Sequence, residues 1–305
     1  MTNKWMRSAV LAISCSALAL TASCGTERGG GSQQTVTTQK QNSGALPDVQ
    51  DRAKWPSPEV ESGLAAGMRL PLEEYMLGFP DEVEVENARD KVKRECMADL
   101  GFTFAPPASG NTPALSYDSM NMKRRYGVTD TTTARTYGYQ PPIAAEAADD
   151  TAAEEAAEGR DDAWFKALDT CVSEANDRVG ILYETDIAGD LAAESLEATA
   201  SNLEVLAALD KWRACMSRAN FAAGTSPQQA GETFTQSTAT EPTEAEKDMA
   251  ATDVACKQSS NLVNKWYQAE TAFQNTQISK HGAELAAEKG RNTAMVATAR
   301  AILGQ

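Results

Sequence analysis

Apolar residues recur along this chain at steps of three and four. Val85, Ala88, Val92 and Cys96 lie at steps of 3, 4 and 4, which is one face of an α-helix. Trp164, Leu168, Cys171, Ala175 and Val179 follow the same rule, as do Val205, Ala208, Trp212, Cys215 and Ala219. Met249, Thr252, Cys256, Ser259 and Val263 form a fourth such face, which Leu262, Trp266, Ala269 and Phe273 extend. Pro80-Asp81 predicts the start of the first helix, since proline suits the opening turn. Gly101 and Asn220 predict helix ends in a left-handed conformation. Asp130 and Gly138 bracket a short helix, and Thr243-Glu-Ala-Glu246 has the form of a capping box. Gly282 and Gly290 weaken the final helix, which runs out at Ile302-Leu303. Residues before Leu72 carry apolar side chains without a period and predict an irregular arm. No stretch alternates with period two for long enough to predict a strand. The expected fold is all-α.

Two segments repeat one pattern. Cys96-Met97 and Cys215-Met216 are each followed by three residues, then Gly101-Phe102 or Asn220-Phe221, and later by one further Cys on a helical face. Four Cys allow three connectivities; the repeat selects Cys96–Cys171 and Cys215–Cys256. The architecture predicted is a loosely duplicated, disulfide-stapled helical bundle with long loops. Its first unit covers about residues 70–185 and its second about 190–303. The first unit carries the longer insert, at 103–145. It holds two echoes, Arg124-Arg-Tyr-Gly127 and Arg135-Thr-Tyr-Gly138. On one reading Tyr126 and Tyr137 fill space over a helix pair. On the other, Arg124, Tyr126, Arg135 and Tyr137 offer rings and guanidinium groups to a ligand or partner. The counterpart insert, 222–243, reads as a surface loop. The Ala-rich acidic stretch 144–162 reads as a solvated helix start.

The N-terminus adds an address. Lys4 and Arg7 precede a mostly apolar run, Ser8 to Leu20, too short for a bilayer span of about 20 residues. It ends in Leu20-Thr-Ala-Ser-Cys24, which resembles the lipobox of bacterial lipoproteins. The resemblance implies a signal peptide over 1–23, lipid attachment at Cys24 and a membrane anchor; Ser14-Cys15 is the weaker alternative. Residues 24–50 read as a disordered tether, of which Gly25 to about Ala45, almost without apolar side chains, spans about 25 Å, with the helical domain over 51–305. An even set of Cys in an exported chain favours disulfides. Without residues 1–23 the chain holds 26 basic and 43 acidic residues, a net charge of −17. Such a surface argues against nucleic acid as a partner.

Candidate chemistry is sparse. His281 is the one histidine, and a Ser-His-Asp or Cys-His mechanism would have to use it. No Cys-x-x-Cys zinc or redox motif occurs, no calcium loop, and no Gly-x-Ser-x-Gly elbow. Neither a metal nor a cofactor is expected. A carboxylate-dependent wall hydrolase would need only two acids among the 43, and Glu74, Asp81 and Glu95 near the apolar arm stand out no more than the rest. Trp164, Trp212 and Trp266 fall on apolar helix faces and read as core, with an aromatic-lined ligand groove as the alternative.

Leu70-Pro-Leu-Glu-Glu-Tyr75, Cys96-Met97 with Gly101-Phe102, and Arg125-Tyr-Gly-Val-Thr-Asp130 with Tyr137-Gly-Tyr139 together resemble a group of secreted, lipobox-bearing actinobacterial proteins. The resemblance covers about residues 70–270, and Asn220 departs from its usual glycine. It implies a protein on the outer face of the cell membrane and transfers no catalytic residue; some of the group stand with envelope ABC-transporter systems. The expectation is therefore a non-enzymatic interaction module of the cell envelope, with an envelope protein or cell-wall component as partner. A small-ligand or wall-fragment binder, a transporter accessory and, further off, a wall hydrolase are the alternatives.

Overall fold

The computed structural model describes residues 59–106, 122–140, 159–184, 186–235 and 241–305. Among the described residues the regular structure is helical, with no strand. The expected signal peptide, the tether and Cys24 lie outside the described residues, as does most of the Ala-rich stretch before Asp162. Turns and a short 3-10 segment, Pro71–Glu74, lead into α1 (Phe79–Asp99). There follow α2 (Thr131–Tyr137), α3 (Asp162–Val179), α4 (Ile187–Ala200), α5 (Leu203–Arg218), the single turn α6 (Glu232–Thr235), α7 (Glu244–Ser260) and α8 (Leu262–Leu303).

Local chemistry sets most of these boundaries. Pro80 opens α1, with Asp81 and Glu82 in its first turn, where the helix dipole favours negative charge. The side chains of Asp130, Asp161, Asp186, Asn202 and Thr243 each accept a backbone N–H from the first turn of α2, α3, α4, α5 and α7. The repeated Cys-Met motif has one physical meaning in both copies. Phe102 N–H donates to the Met97 carbonyl at 2.8 Å, and Phe221 N–H to the Met216 carbonyl at 3.0 Å. Gly101 (φ 84°) and Asn220 (φ 63°) supply the left-handed residue between them. This is the six-to-one closure of a Schellman motif. It leaves both Met side chains fully buried.

The two disulfides are the predicted ones. Cys96–Cys171 joins α1 to α3 with 5.6 Å between α-carbons, and Cys215–Cys256 joins α5 to α7 with 5.5 Å. Both separations fall within the usual range for a bridged pair.

The two expected units nevertheless exchange parts. The largest apolar cluster gathers around Trp212 and Trp266 from α5, α7 and the start of α8. Met122, Tyr126, Val128, Ala134 and Tyr139 of the first unit's insert are buried in that same cluster. Conversely, Met295, Val296 and Ala299 near the end of α8 pack on Val85, Ala88 and Val92 of α1 and on Ala175 and Val179 of α3. The driving force is apolar area. Each buried large side chain contributes about 1.5–3 kcal/mol, and neither the insert nor the end of α8 can bury its own without crossing over. The loop over 222–243 is likewise more than surface. Ala223 and Ala230 are buried, and Phe234 stacks on Tyr139 with 6.3 Å between ring centroids.

Helix α8 reaches both clusters. Its 42 residues amount to about 63 Å at 1.5 Å per residue. Gly282 and Gly290 do not end it. The backbone leaves helical geometry at His281 (φ −109°, ψ 18°) and then resumes. Before the kink α8 packs on α4 and α5; beyond it Leu285 and Glu288 still meet α4, and Met295, Val296 and Ala299 pack on α1 and α3.

Candidate functional site

The insert is fastened by buried charge. The Arg125 guanidinium and Glu270 of α8 are both sealed from solvent, with side chains 1% and 0% exposed. Arg125 Nε donates to Glu270 Oε2 at 2.9 Å, and its Nη2 donates to Glu270 Oε1, to the Ala192 carbonyl and to Ser195 Oγ. The Tyr126 hydroxyl donates to Glu270 Oε2, and Ser195 Oγ donates to Glu270 Oε1 at 2.7 Å. Gln274 continues the chain, donating to Ser195 Oγ and accepting Leu72 N–H. Burial and the Glu270 carboxylate push the Tyr126 phenol well above its ordinary range. Tyr126 is therefore no surface contact. Its ring is fully buried 5.6 Å from Trp266, as the space-filling reading requires.

A second buried group lies beside it. Lys257 Nζ donates to Asp253 Oδ2 and to the Val128 carbonyl, both at 2.8 Å, while Trp212 Nε1 donates to Asp253 Oδ1 at 2.7 Å. Burial pushes the Lys257 ammonium below its ordinary value, against the pull of Asp253. At the far end of the insert, Glu246 accepts Tyr139 N–H at 3.0 Å. The Thr243 hydroxyl caps Glu246 N–H as the sequence predicts, but the Glu246 carboxylate serves the insert.

The other sequence candidates divide. Arg124 donates to the carbonyls of Tyr139 and Gln140 at 2.7 and 2.8 Å, so it closes the insert on itself. Arg135 and Tyr137 are exposed on α2. The structure does not bring the four together on one surface. Trp164, Trp212 and Trp266 are buried, which makes them core. His281 pairs with Glu284 of its own helix at 2.7 Å. Glu74, Asp81 and Glu95 pair with Lys289, Arg300 and Lys91 at the surface. Among the described residues no cluster of three His, Cys, Asp or Glu is placed to hold a metal ion. No helix there is long and apolar enough to cross a membrane.

A cleft of about 360 Å³ opens elsewhere, between the loop after α3 and one side of α8 beyond the kink. Val179 at the end of α3, Ile181 from the loop, and Ala294 and Met295 from α8 give it an apolar lining. Arg178 and Arg291 line it with Asp177 and Glu184, so both signs of charge are present. Tyr183 stands among these residues in a left-handed conformation (φ 57°), with 56% of its surface exposed. A bulky residue there is strained, and such strain persists only where the surroundings enforce it. Burial, with the Glu82 carboxyl of α1 nearby, pushes the Tyr183 phenol well above its ordinary range. Burial raises the Glu82 carboxyl above its ordinary value, with the Tyr183 phenol opposing the effect and Asp186 adding to it. Burial also raises Glu86 and Asp186. Arg89 secures the loop from below, donating to the Gly180 carbonyl and to Asn176 Oδ1.

Sequence reasoning missed this cleft. The available sign was Val179-Gly-Ile-Leu-Tyr183, an apolar run continuing past a glycine that stops the helix.

No protein-family model, curated protein or solved structure matches the chain.

Proposed function

We propose that this protein is an extracytoplasmic lipoprotein, held at the cell membrane by a lipid on Cys24, whose stapled helical body binds another component of the envelope without catalysis. The observation that carries the reading is the pair of intrachain disulfides, which occupies all four Cys of the helical body. Disulfides of this kind persist in oxidising compartments outside the cytoplasm. The basic, apolar and small-residue order ahead of Cys24 supports the same address. The partner is an envelope protein or a cell-wall component. The deciding experiment is intact mass of protein purified from membranes, before and after reduction and alkylation. A diacylglycerol mass on a chain beginning at Cys24, with four thiols appearing only on reduction, is the expected result. An unprocessed N-terminus would overturn the address. Crosslinking in intact envelopes should then recover a partner above the level of an unlipidated Cys24→Ser control.

A second reading, a small-ligand binder, is favoured by the cleft beside Tyr183. Its volume lies at the lower end of the range for small-molecule sites, and such sites pair apolar walls with a few polar groups.

A further inference from the structure

One sequence pattern builds both disulfides, yet their surroundings differ. Cys96 and Cys171 are both buried, within the apolar cluster around Trp164. Cys256 is buried too, but its partner Cys215 is half-buried, packed against the Trp212 cluster from its edge. Ser259, an exposed residue of α7, has its Oγ 3.8 Å from Cys215 Sγ. The Cys215 sulfur is therefore the end of the bond nearer to solvent. Charge separates the two bonds further. Lys211 and Arg218 lie four residues before Cys215 and three after it, one helical turn away on either side. Both are exposed, and neither stands in a salt bridge among the described residues. The acids Glu204 and Asp210 are taken by Lys265 and Arg213. The exposed positions of α7 around Cys256, which are Ala255, Gln258 and Ser259, carry no charge. In the other copy of the pattern Asp99 stands where Arg218 does, and Val92 where Lys211 does. We propose that Cys215 is a thiol-exchange site, at which a small anionic thiol attacks, opens Cys215–Cys256 and is taken up as a mixed disulfide.

The incoming thiolate meets Cys215 Sγ, because the Cys256 sulfur is covered. A new S–S bond forms between the thiol and Cys215 as the Cys215–Cys256 bond breaks. The electron pair leaves on Cys256 Sγ, which takes a proton from water. One disulfide replaces another, so the step consumes no oxidant. Lys211 and Arg218 concentrate a thiol that bears carboxylates and offset the charge of its thiolate. The released Cys256 thiol stays in the core, where it packs as a small apolar group. Helices α5 and α7 remain joined by Trp212 Nε1, which donates to Asp253 Oδ1 at 2.7 Å. The Cys96–Cys171 bond has neither advantage: both sulfurs are covered, and Asp99 repels an anion.

The test uses the purified, oxidised full chain with reduced glutathione, an anionic thiol, and with cysteamine, a cationic one. Samples are quenched in acid, alkylated after denaturation and mapped by peptide mass. With glutathione, Cys215–Cys256 should open about tenfold or more faster than Cys96–Cys171. Lys211→Glu combined with Arg218→Glu should slow the glutathione reaction about tenfold and speed that of cysteamine. Should that variant misfold, salt makes the same comparison on the unaltered protein. At about 1 M, where screening acts within about 3 Å, the glutathione reaction should slow several-fold and the cysteamine reaction should quicken. Regiochemistry is read from single variants exposed to glutathione disulfide. Cys256→Ser should take up glutathione on Cys215, while Cys215→Ser should leave Cys256 unmodified over the same time. Opening of the two bonds at equal rates, or of Cys96–Cys171 first, would overturn the proposal. A glutathione rate indifferent to both charge reversal and salt would do the same, as would equal modification of Cys256. The address is tested separately: an unprocessed N-terminus removes the envelope reading and leaves the exchange site standing.

Discussion

At the scale of single residues, two glycines account for the paired Tyr-Gly echoes. Gly127 has φ 69°, and a β-carbon there would lie 2.6 Å from the Pro227 carbonyl oxygen and 3.1 Å from Lys257 Nζ. Gly138 has φ 60°, and a β-carbon would lie 2.7 Å from Glu246 Oε1. Each glycine lets the insert lie directly against a buried charged group. Gly127→Ala should therefore lose about 2 kcal/mol or more in urea unfolding, combining backbone strain with the close approach. Arg125→Met should lose about 3–5 kcal/mol, because Glu270 is then left buried without its cation. Unfolding curves of Arg125→Met that overlay the wild type would refute the keystone role given to this pair. The echoes were visible in the sequence as a pattern, but their purpose was not. Their partners, Glu246, Lys257 and Glu270, lie more than 100 residues away, and no local periodicity connects them.

At the scale of elements the sequence was far more legible. Helix faces, caps and ends depend on neighbours within a few residues, so the Cys-bearing faces, the Asp130 and Thr243 caps and the Gly101 and Asn220 stops all appear where periodicity and capping chemistry put them. Helix α8 is the exception. Gly282 and Gly290 lower its intrinsic propensity, yet packing at both ends keeps it helical, a case of tertiary contacts overriding propensity. A β-carbon added at either glycine would meet nothing within 4 Å. Gly290→Ala should thus raise stability by up to about 1 kcal/mol, read as a higher melting temperature. A decrease would mean that the second half of α8 moves against α1 in a way the packed structure does not show. The cleft went unseen because it forms between a loop and a helix distant in sequence.

At the scale of the molecule, charge and crosslinks dominate. Burial raises the carboxyls of Glu73, Glu82, Glu86 and Asp186. Groups with a raised folded value bind protons more readily folded than unfolded. Their contribution therefore falls as pH rises through the folded values and is most favourable near and below the ordinary value, 4.5 for glutamate. The melting temperature should rise as pH is lowered from 7 towards 5, and Glu82→Gln should flatten that rise. A melting temperature that falls steadily over the same interval would contradict this account. Reduction acts through the unfolded state. Opening the loops closed by Cys96–Cys171 and Cys215–Cys256 should cost about 4 kcal/mol each on the chain-entropy model. The reduced protein should melt well below the oxidised one.

The exchange of parts between the two units also has a consequence in time. A chain is made from its N-terminus, and most domains can begin folding as they emerge. This one cannot finish early. The insert, over residues 122–140, must wait for Glu246, Lys257 and Glu270, and α1 must wait for Met295 and Val296. The first half of the polypeptide thus stays incomplete until the last helix exists. Under the extracytoplasmic address proposed above, the chain would stay threadable through a narrow channel for as long as it stays incomplete.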